Sequence, residues 1–174
     1  MRIFVDAVPL YDLGMVGELE LLTALDGDLF VPDAVLEQVT VEPAATNLER
    51  FLAEEPVVTA AGFPDTAPAA DGLLEAARPA SDRALVAGLL ATREEGDGSL
   101  EAGLVSEDRR LRAVADGLGA TVTGTFGVVV RAAAEDKYFP VSQAKRVIRR
   151  MDQHGLQSTG PLRARAVGAI DPGE

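Results

Sequence analysis

The sequence contains no cysteine and no tryptophan, a single histidine, and only two lysines, Lys137 and Lys145, among its sixteen basic residues. The lack of cysteine excludes disulfides, thiolate metal sites and cysteine nucleophiles. With His154 as the sole histidine, near a helix end, neither a histidine-based triad nor a zinc site has support. There is no GxxxxGK phosphate loop and no dinucleotide fingerprint. The apolar run that opens the chain is interrupted at Asp6, too early for a signal peptide, and no later run approaches the ~20 residues of a membrane span. The chain therefore reads as a cytoplasmic protein with no membrane partner.

What is present is acid, unevenly spread. The net charge of −12 argues on its face against a polyanionic partner. Yet residues 1–108 hold 5 Arg/Lys against 22 Asp/Glu, whereas residues 109–174 hold 11 against 6. The molecule is a charge dipole in sequence, and its basic part begins directly after Asp108. Abundant Asp and Glu beside so few lysines resembles proteins of salt-loving (halophilic) organisms, in which an acidic surface stays hydrated and salt screens self-repulsion. On that reading the overall acidity reports the solvent and not the ligand.

A chain of 174 residues suffices for one domain with a substantial core plus an appendage. Arg2–Val5 reads as a strand, and "PLYDLGMVGELELLTAL" as a helix carrying Leu10, Leu13, Val16, Leu19 and Leu22. "DLFVP" reads as a second strand, with a helix starting at Pro32 and Asp33. "ATNLERFLAEE" is helical, Pro56–Ala60 a strand, and "AGFPDTAPAADG" a loop by its Gly and Pro. "ASDRALVAGLLATREE" is a helix opened by Ser81 and Asp82. A strand "LEAGLVS", a helix "EDRRLRAVADGLG", a strand "ATVTG" and a helix "TFGVVVRAAAEDK" follow. Strands alternating with helices predict a parallel sheet covered on both faces, with ligands at the carboxyl ends of its strands. After Pro140, "VSQAKRVIRRMDQHG" places Val141, Ala144, Ile148 and Met151 on one helical face, and "STGPLRARAVGAIDPGE" suggests one more short helix.

Four acids share one placement, just after a strand or in the first turn of the helix leaving it: Asp6, Glu37, Asp82 and Asp108. A parallel sheet can bring such positions to one edge, where three or four carboxylates would repel one another unless a cation sat between them; hard oxygen ligands suit Mg²⁺ or Mn²⁺. The other reading is helix capping, for which Ser81-Asp82 and Ser106-Glu107-Asp108 have the right residue types. Asp6 is harder to explain as a cap alone, because a charge directly after an apolar first strand is costly to bury.

The blocks "IFVDAVPLYDLGMVG", "LFVPDAVLEQV", "SDRALVAGLLA" and "GLVSEDRRLRAVADGLGATVTGTFGVVVRAA" resemble, in order, those of the PIN-domain ribonucleases, the family that includes VapC-like toxins of toxin–antitoxin pairs. The resemblance covers about residues 2–138; its most specific block is a strand, Ser/Thr-x-Asp, an amphipathic helix, Leu-Gly, a strand and Gly-Thr-aromatic-Gly. It implies a three-layer α/β/α sandwich with a central parallel sheet for residues 1–138, followed by a C-terminal helical extension, 139–174, packed on the same domain. It also implies a metal-dependent endoribonuclease, with Asp6, Asp82 and Asp108 as catalytic metal ligands for Mg²⁺ or Mn²⁺, RNA as substrate, an antitoxin protein as partner, and a homodimer. The family pattern, close to Pro-x-x-Val-x-x-Glu-Val, puts Gln38 where a glutamate belongs, with Glu37 one residue early, about 100° round a helix. Either Glu37 substitutes or the site has lost an acid, in which case a weakened RNA- or protein-binding module is the alternative. Arg109, Arg110 and Arg112 follow the pocket and either position phosphates or form the solvated face of their helix; the Lys145–Arg150 cluster and the pair Tyr138 and Phe139 pose the same choice between RNA contact and ordinary surface or packing.

Overall fold

The computed structural model of the chain describes residues 1–74, 78–96, 99–135 and 139–155. Five short strands form one sheet: β1 (Arg2–Val5), β2 (Asp28–Pro32), β3 (Val58–Ala60), β4 (Ala102–Val105) and β5 (Thr121–Thr123), in the order β3-β2-β1-β4-β5, every neighbouring pair parallel. Past Arg2, β1 and β4 are apolar because both faces are covered: Phe4, Val5, Leu104 and Val105 are all buried. The edge strands β3 and β5 are three residues long and carry Thr and exposed positions, which blunts the open edges.

The chain runs outward through β2 and β3, then returns to place β4 on the other side of β1, in register from Arg2↔Ala102 to Val5↔Val105. The strand order therefore reverses between β1 and β4, and a crevice opens at their carboxyl ends. Helices cover the two faces as two packed groups. One is α1 (Ala7–Val16) with α3 (Ala44–Glu54), α7 (Thr125–Glu135) and α8 (Val141–Gln153); the other is α5 (Ala80–Glu95) with α2 (Asp33–Leu36), α4 (Ala67–Leu73) and α6 (Arg109–Leu118). The architecture is the three-layer α/β/α sandwich expected from the alternation of elements. Among the described residues no helix is long and apolar enough to cross a membrane.

Several local expectations need correction. The helix expected to run from Pro9 through Leu25 breaks at Gly17, whose φ of 71° lies in the left-handed region that favours glycine. Leu19–Ala24 continues as a separate 3-10 turn. The Gly- and Pro-rich stretch expected as a loop contains α4, started by Pro68 in its first turn. The strand expected from Pro56 is hydrogen-bonded as one only from Val58, and the helix after β2 is a single turn that ends at Glu37. The short helix expected in "STGPLRARAVGAIDPGE" lies outside the described residues, as does Tyr138. Phe139 is buried, so it packs and is not free to stack on a base.

The last described helix docks by Ala144, Val147, Ile148 and Met151 against α1 and α7. Arg150 fastens it, donating to Glu18 Oε1 at 3.1 Å and to the Val16 carbonyl at the C-terminal end of α1. Burial pushes the Glu18 carboxyl up, while Arg150 and Arg146 pull it down.

One close approach sets the seat of α5 on the sheet. A Cβ at Gly88 would lie 2.4 Å from the Phe4 ring and 2.9 Å from that of Phe63, two rings that themselves meet edge-on at 6.1 Å between centroids. Gly88→Ala is expected to destabilise the fold by about 1–3 kcal/mol, the usual range for overpacking a core, read as a lower urea midpoint. An unchanged midpoint would mean that α5 shifts freely, contrary to this packing.

Candidate active site

The crevice between β1 and β4 is where the acids gather. Asp6 leaves β1 and is held three ways: its backbone N–H donates to the Val105 carbonyl at 2.9 Å, its Oδ1 accepts from the Ala7 N–H at 2.7 Å, and its Oδ2 accepts from Ser106 Oγ at 2.6 Å. The residue is only 6% exposed. Ser106, fully buried at the end of β4, donates its own N–H to the Thr123 carbonyl and accepts the Asp108 N–H on Oγ at 3.1 Å. One hydroxyl thus locks the Asp6 carboxylate to the turn that presents Asp108. Asp108 caps α6 by accepting the Leu111 N–H at 2.7 Å.

Asp82 reaches the same place from the first turn of α5, where Pro79 stands at the cap position and makes no side-chain capping bond. Ser81 Oγ lies 3.4 Å from Asp82 Oδ1 and accepts from Gln38 Nε2 at 2.7 Å. Gln38, not Glu37, is thereby tied to the acids; Glu37 is exposed at the end of α2. Capping and site-building are not exclusive: Asp6 and Asp108 cap their helices and also face one another electrostatically, each helix N-terminus offsetting part of the cost of a carboxylate there.

Arg78 was not singled out by the sequence, and it occupies the centre of the group. Its Nη1 and Nη2 donate to Asp108 Oδ2 and Oδ1 at 3.0 and 2.8 Å, and its Nε lies 3.2 Å from Asp82 Oδ2. The electrostatics follow from this arrangement. Burial pushes the Asp6 carboxyl up, Ser106 and the Ala7 N–H pull it down, and Asp108 raises it further. Asp82 is likewise raised by burial, opposed by Arg78 and reinforced by Asp6 and Asp108. Asp108, more exposed, is held below its ordinary value, first by the Arg78 hydrogen bond. The three aspartates are coupled, and the one that owns the arginine fork stays ionised most readily.

The donor chemistry, hard carboxylate oxygen, suits Mg²⁺ or Mn²⁺. Among the described residues, however, no group of three acidic or histidine side chains is arranged to hold a metal ion. The Arg78 guanidinium stands between the Asp82 and Asp108 carboxylates. Arg109 and Arg110 are exposed on the first turn of α6 beside the pocket, and Arg112 is half-buried. The α8 cation Arg150 is bound at the far end of α1 from Asp6.

A family model for a PIN domain, DUF3368, matches residues 2–170. No curated protein matches the chain.

A second acidic pair lies beside the pocket, also missed by the motif reading. Glu107 Oε1 accepts the Thr125 N–H at 2.6 Å and closes the turn into α7. Asp12 is buried on α1, on the same face as Pro9 and Val16, and its pKa is pushed up to about 6, first by burial and then by Glu107, with Thr125 opposing. The signal available in sequence was an acid at helical spacing from apolar residues that are themselves core. A carboxyl raised on folding holds its proton more tightly in the native state. Its contribution to stability is full below the unfolded value near 3.8 and is lost as pH rises through about 6. Asp12→Asn removes that loss, on the order of 2 kcal/mol. Its Tm is expected to exceed the parent's at pH 8 and to match it at pH 4; a lower Tm at pH 8 would show that ionised Asp12 is stabilising.

Proposed function

Because the chain belongs to the PIN-domain family, we propose that it is an endoribonuclease that hydrolyses RNA phosphodiester bonds at the Asp6, Asp82 and Asp108 pocket and requires Mg²⁺ or Mn²⁺. One observation carries the proposal. Three aspartates from three separate segments, the end of β1, the first turn of α5 and the turn after β4, meet where the strand order reverses, two of them buried, with Asp82 and Asp108 joined by one arginine and Asp6 bonded to the serine that holds the Asp108 turn. A fold dominated by the cost of burying charge does not assemble such a group by default.

The residues have distinct tasks in this reading. Ser106 holds Asp6 and Asp108 in fixed relation through its single hydroxyl. Gln38, through Ser81, orients Asp82. Asp6, Asp82 and Asp108 are the carboxylates that would hold the cation. Arg109 and Arg110, exposed next to Asp108 at the N-terminal turn of α6, contact phosphates flanking the scissile bond. The partners belong to the same proposal: RNA as substrate, an antitoxin protein that restrains the activity, and a second copy of the chain as a homodimer.

A second reading, an RNA- or protein-binding module without cleavage, is favoured by one observation. The amide of Gln38 stands at the acid cluster, so the pocket has one carboxylate fewer than the family pattern supplies. An amide is a weaker cation ligand and accepts no proton from water.

The two readings separate on an end-labelled single-stranded RNA incubated with the protein in Mn²⁺, Mg²⁺ or EDTA across a KCl series, since binding to RNA weakens steeply with salt. Cleavage is expected with metal and not with EDTA. Asp108→Asn is expected to lower the rate by about 10²-fold or more, the scale of losing a group that acts on the reacting atoms, and Gln38→Glu to raise it. Retention of RNA without cleavage at any salt, by a folded protein, would overturn the nuclease reading in favour of the binding module.

A further inference from the structure

Each carboxylate oxygen of the trio is engaged within the chain. Asp6 Oδ1 and Oδ2 take the Ala7 N–H and the Ser106 hydroxyl. Asp82 Oδ1 faces Ser81, and Oδ2 faces Arg78. Asp108 Oδ1 takes the Leu111 N–H and Arg78 Nη2, and Oδ2 takes Arg78 Nη1. A divalent cation entering this pocket meets a guanidinium already placed between two of its carboxylates. The backbone and serine donors are fixed by helix starts and by the end of β4. Arg78 is not: it stands on the connection one residue ahead of Pro79, outside α5, and its side chain keeps 22% of its surface in solvent.

We propose that Arg78 is a built-in counter-cation that keeps the carboxylate pocket closed to divalent metal, and that metal enters by exchanging with its guanidinium. The inference rests on the nuclease reading of the pocket. The geometry of the exchange is specific. The fork spans two acids, and withdrawing it releases Asp82 Oδ2 and Asp108 Oδ2 and relieves Asp108 Oδ1 of one of its two donors. A hard cation needs oxygens converging from different carboxylates, and these are the oxygens Arg78 covers. The Leu111 N–H still caps on Asp108 Oδ1, and Ser106 still holds Asp6.

The exchange also accounts for the pocket's charge. Three aspartates crowded at a sheet edge without metal would repel one another, and two are already costly to ionise through burial. Arg78 supplies the compensating charge with the planar two-nitrogen geometry that matches a carboxylate. A lysine would supply the charge without the fork. The metal-free protein is therefore folded with its site satisfied, and the metal concentration at which it loads is set by competition with the arginine.

The test is Mn²⁺ binding by the full chain, read from the electron paramagnetic resonance signal of free Mn²⁺, with circular dichroism to verify folding. Arg78→Gln is expected to bind Mn²⁺ at least tenfold more tightly than the parent, Arg78→Lys to fall between them, and Asp108→Asn added to Arg78→Gln to cancel the gain. Equal or weaker binding by folded Arg78→Gln overturns the proposal. Should that variant fail to fold, unchanged affinity in Arg78→Lys overturns it equally, and loss of fold in both would make Arg78 a structural residue and not a gate. Tighter Mn²⁺ binding by Arg78→Gln with no RNA cleavage would retain the gate and remove the nuclease, whereas metal-dependent cleavage with no effect of Arg78 on affinity would do the reverse.

Discussion

The mutual repulsion of carboxylates at the carboxyl edge of the sheet is the constraint on which the rest of this structure depends. Asp6 and Asp82 are each more than nine-tenths buried, and burial disfavours their charged forms. Such groups persist in a folded chain only with partners, and those partners define the pocket: a serine hydroxyl shared between Asp6 and the Asp108 turn, two helix N-termini, and one arginine fork. The serine and the helix N-termini come from elements whose positions are fixed for other reasons, so the cost of assembling the acids is spread over the fold.

The sheet order does that positioning. Placing β4 beside β1 after an excursion through β2 and β3 puts the buried carboxyl ends of two neighbouring strands side by side. Asp6 and Ser106 then follow β1 and β4 at matched registers, since Val5 pairs with Val105. A one-residue slip would flip every side chain of β1 to the opposite face and separate that pair. The bulky core side chains Phe4 and Leu104 thus specify the geometry of the acidic pocket indirectly, by pinning register. Gly88 contributes in the same way, by letting α5, and with it Asp82, approach the sheet.

The PIN-domain family match over residues 2–170 spans the segments that line the pocket. Its acids are organised around an internal guanidinium, with an amide at Gln38 in place of a further acid. These two features act together: fewer carboxylates and one built-in cation lower the pocket's net negative charge, which allows it to exist in a folded chain before any ligand arrives.

Much of this was legible in the linear sequence. The alternation of apolar strand runs with amphipathic helices prescribed the parallel α/β/α sandwich, and the abrupt polar residues after "RIFV" and "GLVS" marked Asp6 and Asp108, because hydrophobic periodicity and its interruption are local properties that a short window records. Helix lengths were less legible: Gly17 ends α1 early, and α4 forms within a Gly- and Pro-rich stretch, since tertiary packing overrides weak local preference. The partners of the acids were invisible. Ser106 and Asp6 are 100 residues apart, Gln38 and Ser81 are 43 apart, and Arg78 and Asp108 are 30 apart. The sequence by itself determined the layers and the edge at which charged groups emerge. Only the tertiary structure decided which donors those charges meet, because a hydrogen bond between distant segments leaves no periodic trace in either of them.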